Sequence, residues 1–246
     1  MSLFGNVSTE GMEQTEDRLG GGFQPLESGI YPAKIKIAYL TEASSGAKAV
    51  NFEFELEDGK THRETIYVTS GTAKGGKPYF ERDGKKYPLP GYEQVNNICI
   101  LTTETPLFEQ DYEMKTLKLW DSESQSEIPR EVPVFVNLLG EELYLAIQQI
   151  RENKTKKNES TGEWEPINEE RVINEIKSSF HHSTKQTVAE AMGGRDAAFF
   201  DAWLERNDGK TWDKYKEVAA SGSSRSSSRA STSAGGGGKS SMFGKK

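Results

Sequence analysis

The sequence contains very little cysteine or histidine. Its 246 residues include one cysteine, Cys99, and three histidines, His62, His181 and His182. A single thiol forms neither an intrachain disulfide nor a multi-thiolate metal site, and such cysteine usage is typical of a reducing compartment such as the cytosol. The histidines have no evident partners for a zinc or catalytic cluster, so the sequence predicts no cofactor.

Long apolar runs are missing as well. No stretch approaches the roughly 20 apolar residues that a membrane-spanning helix needs. Residues 1–6 lack the basic and apolar segments of a secretory signal. Charged residues make up 28% of the chain, and its mean hydropathy is -0.72. These properties predict a soluble protein that has no membrane partner.

Motifs of the common enzyme classes do not occur either. The chain has no G-x-S-x-G, H-E-x-x-H, C-x-x-C or G-x-G-x-x-G pattern. The run Gly235–Ser240 resembles the end of a phosphate-binding loop but lacks the first glycine of that motif. The carboxylate pairs Asp121 with Glu123 and Glu169 with Glu170 are more typical of solvated faces than of a Mg²⁺ site. The sequence therefore predicts a protein that is not an enzyme.

Charge is distributed unevenly along the chain. The net charge is -7, from 31 basic and 38 acidic side chains. Residues 221–246 hold five basic residues and no acidic ones, which leaves a net charge of -12 on residues 1–220. A non-specific binder of duplex DNA normally shows a strongly basic face. Any site for a polyanion must therefore be a local basic strip on an acidic body.

One such strip lies between residues 71 and 92, which read GTAKGGKPYFERDGKKYPLPGY. Five basic residues face two acidic ones, and four aromatic residues are interleaved with them. In single-strand binding, cations follow the phosphates and rings stack on unpaired bases. The alternative interpretation is an exposed hairpin whose rings pack on its own base. The candidate phosphate contacts are Lys74, Lys77, Arg82, Lys85 and Lys86, and the candidate stacking residues are Tyr79, Phe80 and Tyr87. The second-rank candidates on neighbouring strands are Lys34, Lys36 and Arg63.

Hydrophobic periodicity and turn residues predict a mainly β body, of α+β class. Strands are predicted over 29–39, 50–56, 60–69, 112–120, 132–138 and 142–154, with a return at 163–165 and a short strand at 187–191. Helices are predicted over 92–101, 168–180 and 197–205. Asp58-Gly59 and Asp83-Gly84 are hairpin turn signals. The predicted organisation is a flexible arm over 1–27, a folded domain over 28–220 and a disordered Ser/Gly-rich basic tail over 221–246.

Several stretches of the sequence resemble a family of phage-encoded single-stranded-DNA-binding proteins of the replication module. They are SLFGNVSTEGMEQTEDRLGGGF, SGIYPAKIKIAY, RETIYVTS, YPLPGYEQVNNICILTT, VPVFVNLLG and FFDAWLERNDG with the FG-containing end of the chain. The resemblance implies an OB-like β-barrel, here carrying the long basic-aromatic hairpin as an insertion. It also implies a role in replication or recombination in the host cell cytoplasm, without catalysis. Many single-strand binders end in an acidic tail that recruits partners, whereas this tail is basic.

These observations together predict a protein that coats single-stranded DNA. Phage or host replication proteins are further expected partners, and Met242 and Phe243 near the end of the tail are the candidate contacts for them. Two alternatives remain open. One is a replication adaptor that docks proteins through its hairpin and tail, and the other is a nuclease or recombinase with an unrecognised carboxylate site.

Overall fold

The computed structural model describes residues 25–121 and 124–218. The predicted arm over 1–27 lies almost entirely outside these ranges, and the predicted tail over 221–246, with Met242 and Phe243, lies wholly outside them. All the helices and strands described below belong to the segment that the sequence predicts as the folded domain.

Three consecutive antiparallel strands begin the fold and confirm the predicted meander. They are β1 (Gly29–Glu42), β2 (Lys48–Leu56) and β3 (Thr61–Tyr67). Phe52 and Phe54 of β2 are buried and the residues between and beside them are less so, as the period-2 alternation of a strand requires. The β2–β3 turn contains Gly59 at a φ of 76°, a conformation that glycine adopts without strain.

Seven further strands lie in the described residues. They are β4 (Tyr79–Arg82), β5 (Lys85–Pro88), β6 (Glu113–Asp121), β7 (Ser126–Val134), β8 (Glu142–Lys157), β9 (Trp164–His181) and β10 (Trp212–Asp213). The predicted strands at 112–120 and 142–154 are confirmed. The strand predicted over 132–138 ends at Val134, and Val136–Leu138 form a 3-10 turn.

The α-helices are α1 (Pro90–Thr103), α2 (Val188–Met192) and α3 (Ala198–Asn207). Single 3-10 turns also form at Thr72–Lys74 and Leu107–Glu109. Helices α1 and α3 confirm the predictions for 92–101 and 197–205. Across the described ranges, every helix is too short or too polar to cross a bilayer.

Two secondary-structure predictions are wrong. Residues 168–180 were predicted as a helix but belong to β9, because β8 offers them a long antiparallel partner. Residues 187–191 were predicted as a strand but supply the N-cap and most of the short helix α2. There Thr187 and Glu190 make a reciprocal capping box, in which each side chain accepts a hydrogen bond from the other residue's backbone N–H.

Within the described residues, eight of the strands form one sheet, in which only the short β10–β8 pairing is parallel. The main order is β10-β8-β1-β2-β3, with β9 also paired to β8. Strand β7 meets β1 at Val134 and Tyr39, and β6 pairs only with β7 within the described residues. Strands β4 and β5 form a separate hairpin.

The described strands do not close into a barrel, so the predicted β-barrel is corrected to an open sheet. In the described part of the chain, the edge strands β3 and β9 are not joined by backbone hydrogen bonds of a strand pair. They are joined instead by helix α1, which packs on both strands, and by one side-chain contact. The Ile176 N–H donates a 2.8 Å hydrogen bond to Oε2 of Glu64.

The main core lies between the inner face of the sheet and α1. Its fully buried side chains include Ile35, Phe54, Ile98 and Leu145. Cys99 is part of this core, and burial raises the pKa of its thiol to about 12. A second cluster connects the sheet to α3 and contains Ala146, Phe180, Phe200 and Trp203. The mainly β prediction is confirmed.

Candidate nucleic-acid interface

The predicted basic strip forms the β4–β5 hairpin, and its two-residue turn is Asp83-Gly84. These residues have φ values of 53° and 74°, as a type I′ turn requires. The hairpin joins the end of β3 to the start of α1. Its eight strand residues include none that is buried, so their side chains are free to contact a ligand.

Backbone hydrogen bonds fix the base of the hairpin to the loop between β1 and β2. The Thr72 N–H donates to the Ser45 carbonyl of that loop over 2.8 Å, while the Leu89 N–H closes the base of the hairpin itself by donating to the Pro78 carbonyl over 2.8 Å. Gly71 passes so close to this loop that a Cβ atom would lie 2.8 Å from the Ser45 carbonyl oxygen. A glycine is needed at this approach because a side chain would displace the loop.

One face of the hairpin presents an aromatic pair beside two cations. Phe80 and Tyr87 are directly opposite across the two strands, and their rings stack with centroids 5.6 Å apart and an interplanar angle of 21°. The side chains are 47% and 40% exposed. Arg82 and Lys85 form the next pair on the same face, because side chains two positions apart share a face of a strand. This face combines flat rings with positive charge.

The opposite face is organised around Tyr79. The ammonium groups of Lys77 and Lys86 lie 5.4 and 4.7 Å from the centre of its ring. Such cation–π contacts hold the lysine heads near the ring. The structure therefore divides the predicted stacking residues, with Phe80 and Tyr87 on one face and Tyr79 on the other.

Ion pairing differs among the predicted phosphate contacts. Lys77 lies 3.5 Å from Glu81 and Arg82 lies 3.6 Å from Asp83, both as exposed pairs. Exposed pairs of this kind are weak, so their cations remain available to phosphates. Lys74, Lys85 and Lys86 have no salt-bridge partner among the residues that the structure describes.

The three second-rank candidates lie on the main sheet, and each pairs closely with a carboxylate. The distances are 2.9 Å for Lys34 with Glu142, 3.0 Å for Lys36 with Glu55 and 2.7 Å for Arg63 with Glu53. Hydrogen bonding and charge from Glu142 raise the pKa of Lys34. These cations are partly neutralised, so they are weaker candidates for phosphate than the hairpin lysines.

A groove that sequence reasoning missed lies across the outer face of β1, β2 and β3 and beside β6. Its volume is about 390 Å³, and Tyr39, Arg63, Leu117, Lys118 and Trp120 are among the residues that line it. Tyr39 is half-buried, and burial followed by the charge of Glu53 raises the pKa of its hydroxyl. Trp120 is 63% exposed. The groove thus offers two further rings to a ligand, together with Lys118 and the Arg63 that pairs with Glu53.

The sequence carries a signal for part of this groove. Residues 115–120 read KTLKLW, in which leucines alternate with polar residues before an unburied tryptophan. The contribution of Tyr39 depends on β6 folding beside β1, which alternation within one strand does not reveal.

Metal ligands do not come together in the described ranges. No group of three or more His, Cys, Asp or Glu side chains there is arranged to hold a metal ion. The second predicted contact set, Met242 and Phe243, lies outside the described residues.

Comparison with known proteins adds no assignment for this surface. The chain matches no protein-family model and no curated protein sequence. The case for a function therefore depends on the hairpin, the groove and the order of the strands.

Proposed function

We propose that this protein is a non-catalytic single-stranded-DNA-binding protein that coats unpaired strands during phage DNA replication or recombination in the host cytoplasm. The observation that carries the proposal is the outward face of the β4–β5 hairpin. It places the stacked Phe80 and Tyr87 rings beside Arg82 and Lys85 on an element with no buried residue.

The order of the main strands supports the same proposal. The meander β1–β2–β3 is followed by α1, then by β8 beside β1 and by β9 beside β8. An OB-fold is a five-stranded, partly open Greek-key barrel that binds oligonucleotides on the face of its second and third strands. The groove over β2 and β3 corresponds to that face. We therefore interpret the sheet as an OB-like arrangement in which the contact between Glu64 and Ile176 stands where a barrel would close.

The proposed mechanism separates affinity from sequence recognition. The lysines and arginines replace the counterions condensed on the phosphate backbone, which makes binding dependent on salt. The exposed rings stack on bases, and stacking tolerates any base because every base has a π-face. The groove has no excess of positive charge, since Arg63 pairs with Glu53, so the hairpin supplies most of the electrostatic attraction.

A fluorescence titration with oligo(dT) tests the proposal directly. The full chain is titrated with the single strand and with a duplex of equal length, each at two salt concentrations. Stacking requires unpaired bases, so the single strand should bind more tightly, and log K should fall by roughly 0.7 per neutralised phosphate for each tenfold rise in salt.

Two outcomes would contradict the proposal. Equal affinity for the duplex would indicate a purely electrostatic binder without base stacking. No binding to either nucleic acid would favour the adaptor, in which the same exposed rings contact a protein. Incubation of labelled DNA with Mg²⁺ checks separately for nuclease activity.

A further inference from the structure

Helices α2 and α3 form an apolar cleft that the proposed DNA surface does not use. Its volume is about 490 Å³. The side chains that give it an apolar character are Ala189, Ala198, Ala202 and the 46% exposed Phe199. Asn97 of α1 and Ser178 of β9 also line it. Small alanines beside one large ring leave a space that suits an additional apolar side chain.

The walls of the cleft are held in place by Glu190. Its carboxylate accepts hydrogen bonds from the Thr187 N–H over 2.9 Å and from the Phe199 N–H over 2.8 Å. The first bond closes the α2 capping box and the second ties the start of α3 to α2. The cleft is therefore a preformed feature rather than a gap between loose segments.

The charge around the cleft favours a basic occupant. On α3, Glu205 lies on the same helical stripe as Ala198 and Ala202, and Asp201 lies beside that stripe. Neither carboxylate has a cation partner within the described part of the chain. Arg195 also lines the cleft, so the attraction for a basic occupant comes from the carboxylates of α3 beside it.

The two ends of this chain each carry a similar apolar motif, but their charges differ. Ser2-Leu3-Phe4-Gly5 recurs as Ser241-Met242-Phe243-Gly244. Residues 1–24 contain four acidic side chains and one basic one, whereas residues 221–246 contain five basic and none acidic. Lys245 and Lys246 follow the second motif directly, so only that motif brings positive charge to the carboxylates of α3.

The length of the C-terminal segment also matches the distance it must span. The last described residue, Val218, is held at β9 by Asn168, whose side-chain amide makes hydrogen bonds of 2.7 and 2.8 Å to the Val218 backbone. Ser178, in the cleft, lies ten residues further along β9. That separation is roughly 33 Å at the rise of an extended strand.

A Ser/Gly-rich chain of the 25 residues from Val218 to Phe243 has an expected root-mean-square span of about 25–30 Å. Intramolecular binding is strongest when the linker span and the distance agree. We propose that the Met242-Phe243 segment of the same chain docks in the α2–α3 cleft, with Phe243 against Phe199 and Lys245 and Lys246 near Asp201 and Glu205. This docking is independent of the proposed DNA binding.

Paramagnetic relaxation in the full chain tests the docking. A Ser240→Cys variant carries a nitroxide label next to the motif, and the buried Cys99 stays unmodified in the native protein. The amide signals of Ala189, Ala198 and Ala202 should be broadened beyond detection, whereas those of Asp83 and Gly84 at the hairpin tip should keep their intensity. Adding Phe243→Ala to the labelled chain should restore the cleft signals.

A matched pair of charge reversals distinguishes docking in the cleft from a general attraction of the basic C-terminal segment to the acidic body. Glu205→Lys should weaken the broadening, whereas Glu163→Lys at the far end of the β8–β9 hairpin makes the same change in net charge and should leave it unaltered. Equal effects of both variants, or broadening spread over the whole surface, would overturn the proposal. So would broadening that requires a second molecule, measured by mixing isotope-labelled chains with spin-labelled ones.

Discussion

The β4–β5 and β8–β9 hairpins carry similar residue types in opposite settings. At the base of β8–β9, Leu145, Ile147 and Phe180 are fully buried in the core. Further along β8, Lys154 pairs with Glu169 at 3.0 Å. The β4–β5 hairpin buries none of its residues, and Lys85 and Lys86 have no salt-bridge partner in the described ranges. The β8–β9 hairpin thus contributes its apolar side chains to the core, whereas the rings and lysines of β4–β5 remain at the surface.

Substitutions in the two hairpins should differ most in their effect on the free energy of unfolding. Leu145→Ala removes a fully buried side chain from β8 and should lower the free energy of unfolding by about 2–5 kcal/mol, because it leaves a cavity in the core. Tyr87→Ala removes a partly exposed ring whose main contact is the cross-strand stack on Phe80, and should lower it by about 1 kcal/mol or less. Urea denaturation of both variants measures the contrast. A comparable loss from Tyr87→Ala would show that the hairpin is part of the stabilising core.

The next largest difference is expected in DNA affinity. Phe80→Ala and Tyr87→Ala should each weaken binding to oligo(dT) by about 1–3 kcal/mol if each ring stacks on a base. Trp164→Ala is the matched control, because Trp164 is a 67% exposed aromatic residue of β9. Its removal should leave the affinity unchanged. If the tryptophan variant alone loses affinity, the interface lies on the β8–β9 hairpin instead.

Glu190 links helices α2 and α3, and its removal should lower the free energy of unfolding by less than Leu145→Ala does. Glu190→Ala breaks the capping box and should cost about 0.5–2 kcal/mol in urea denaturation. Burial raises the pKa of Glu190, but hydrogen bonds from Thr187 and Phe199 outweigh it and hold the pKa below its ordinary value. The stabilisation is therefore fully present above the unfolded pKa of about 4.3 and is lost as the pH falls through the lower folded pKa.

The neutral variant Glu190→Gln tests how much of this stabilisation depends on the negative charge of Glu190. Glutamine also serves at this position of a capping box, so most of the stability at neutral pH should remain. The dependence of unfolding free energy on pH should become flatter between about pH 5 and the acid range. An unchanged pH profile would assign the acid sensitivity to other carboxylates.

Local sequence patterns correctly predicted those elements whose structure is decided by residues close in sequence. The alternation of β2, the Asp58-Gly59 turn and the Asp83-Gly84 turn required no knowledge of distant residues. The helix predicted over 168–180 was wrong because these residues pair with β8, and that pairing contains a register shift that a local pattern does not reveal. Ala146 pairs with Ser178 but Ile147 pairs with Ile176, so the extra residue breaks the period of two.

The hairpin part of the candidate site was predictable, but the groove was not. Tyr79, Phe80 and Tyr87 are close in sequence, and a two-residue turn fixes which of them share a face. Tyr39 and Trp120 meet in one groove only through the packing of β6 beside the meander. Helix α2, in contrast, was predictable, because Thr187 and Glu190 stand at the spacing of a capping box in the sequence.

The smallest expected effect is on the salt dependence of DNA binding. It should differ between a hairpin lysine without a salt-bridge partner in the described ranges and a lysine that is paired with a carboxylate. Lys85→Gln should flatten the slope of log K against log salt by about 0.7, the loss of one phosphate contact on a single strand. Lys36→Gln is its matched control, because Lys36 lies on the main sheet and pairs with Glu55 at 3.0 Å. It should leave the slope within error, since a paired cation releases fewer counterions. Titrations of both variants with oligo(dT) across several salt concentrations give the slopes. Equal flattening by the two variants would mean that DNA breaks the Lys36–Glu55 pair, and the interface would then extend from the hairpin across the outer face of β1 and β2.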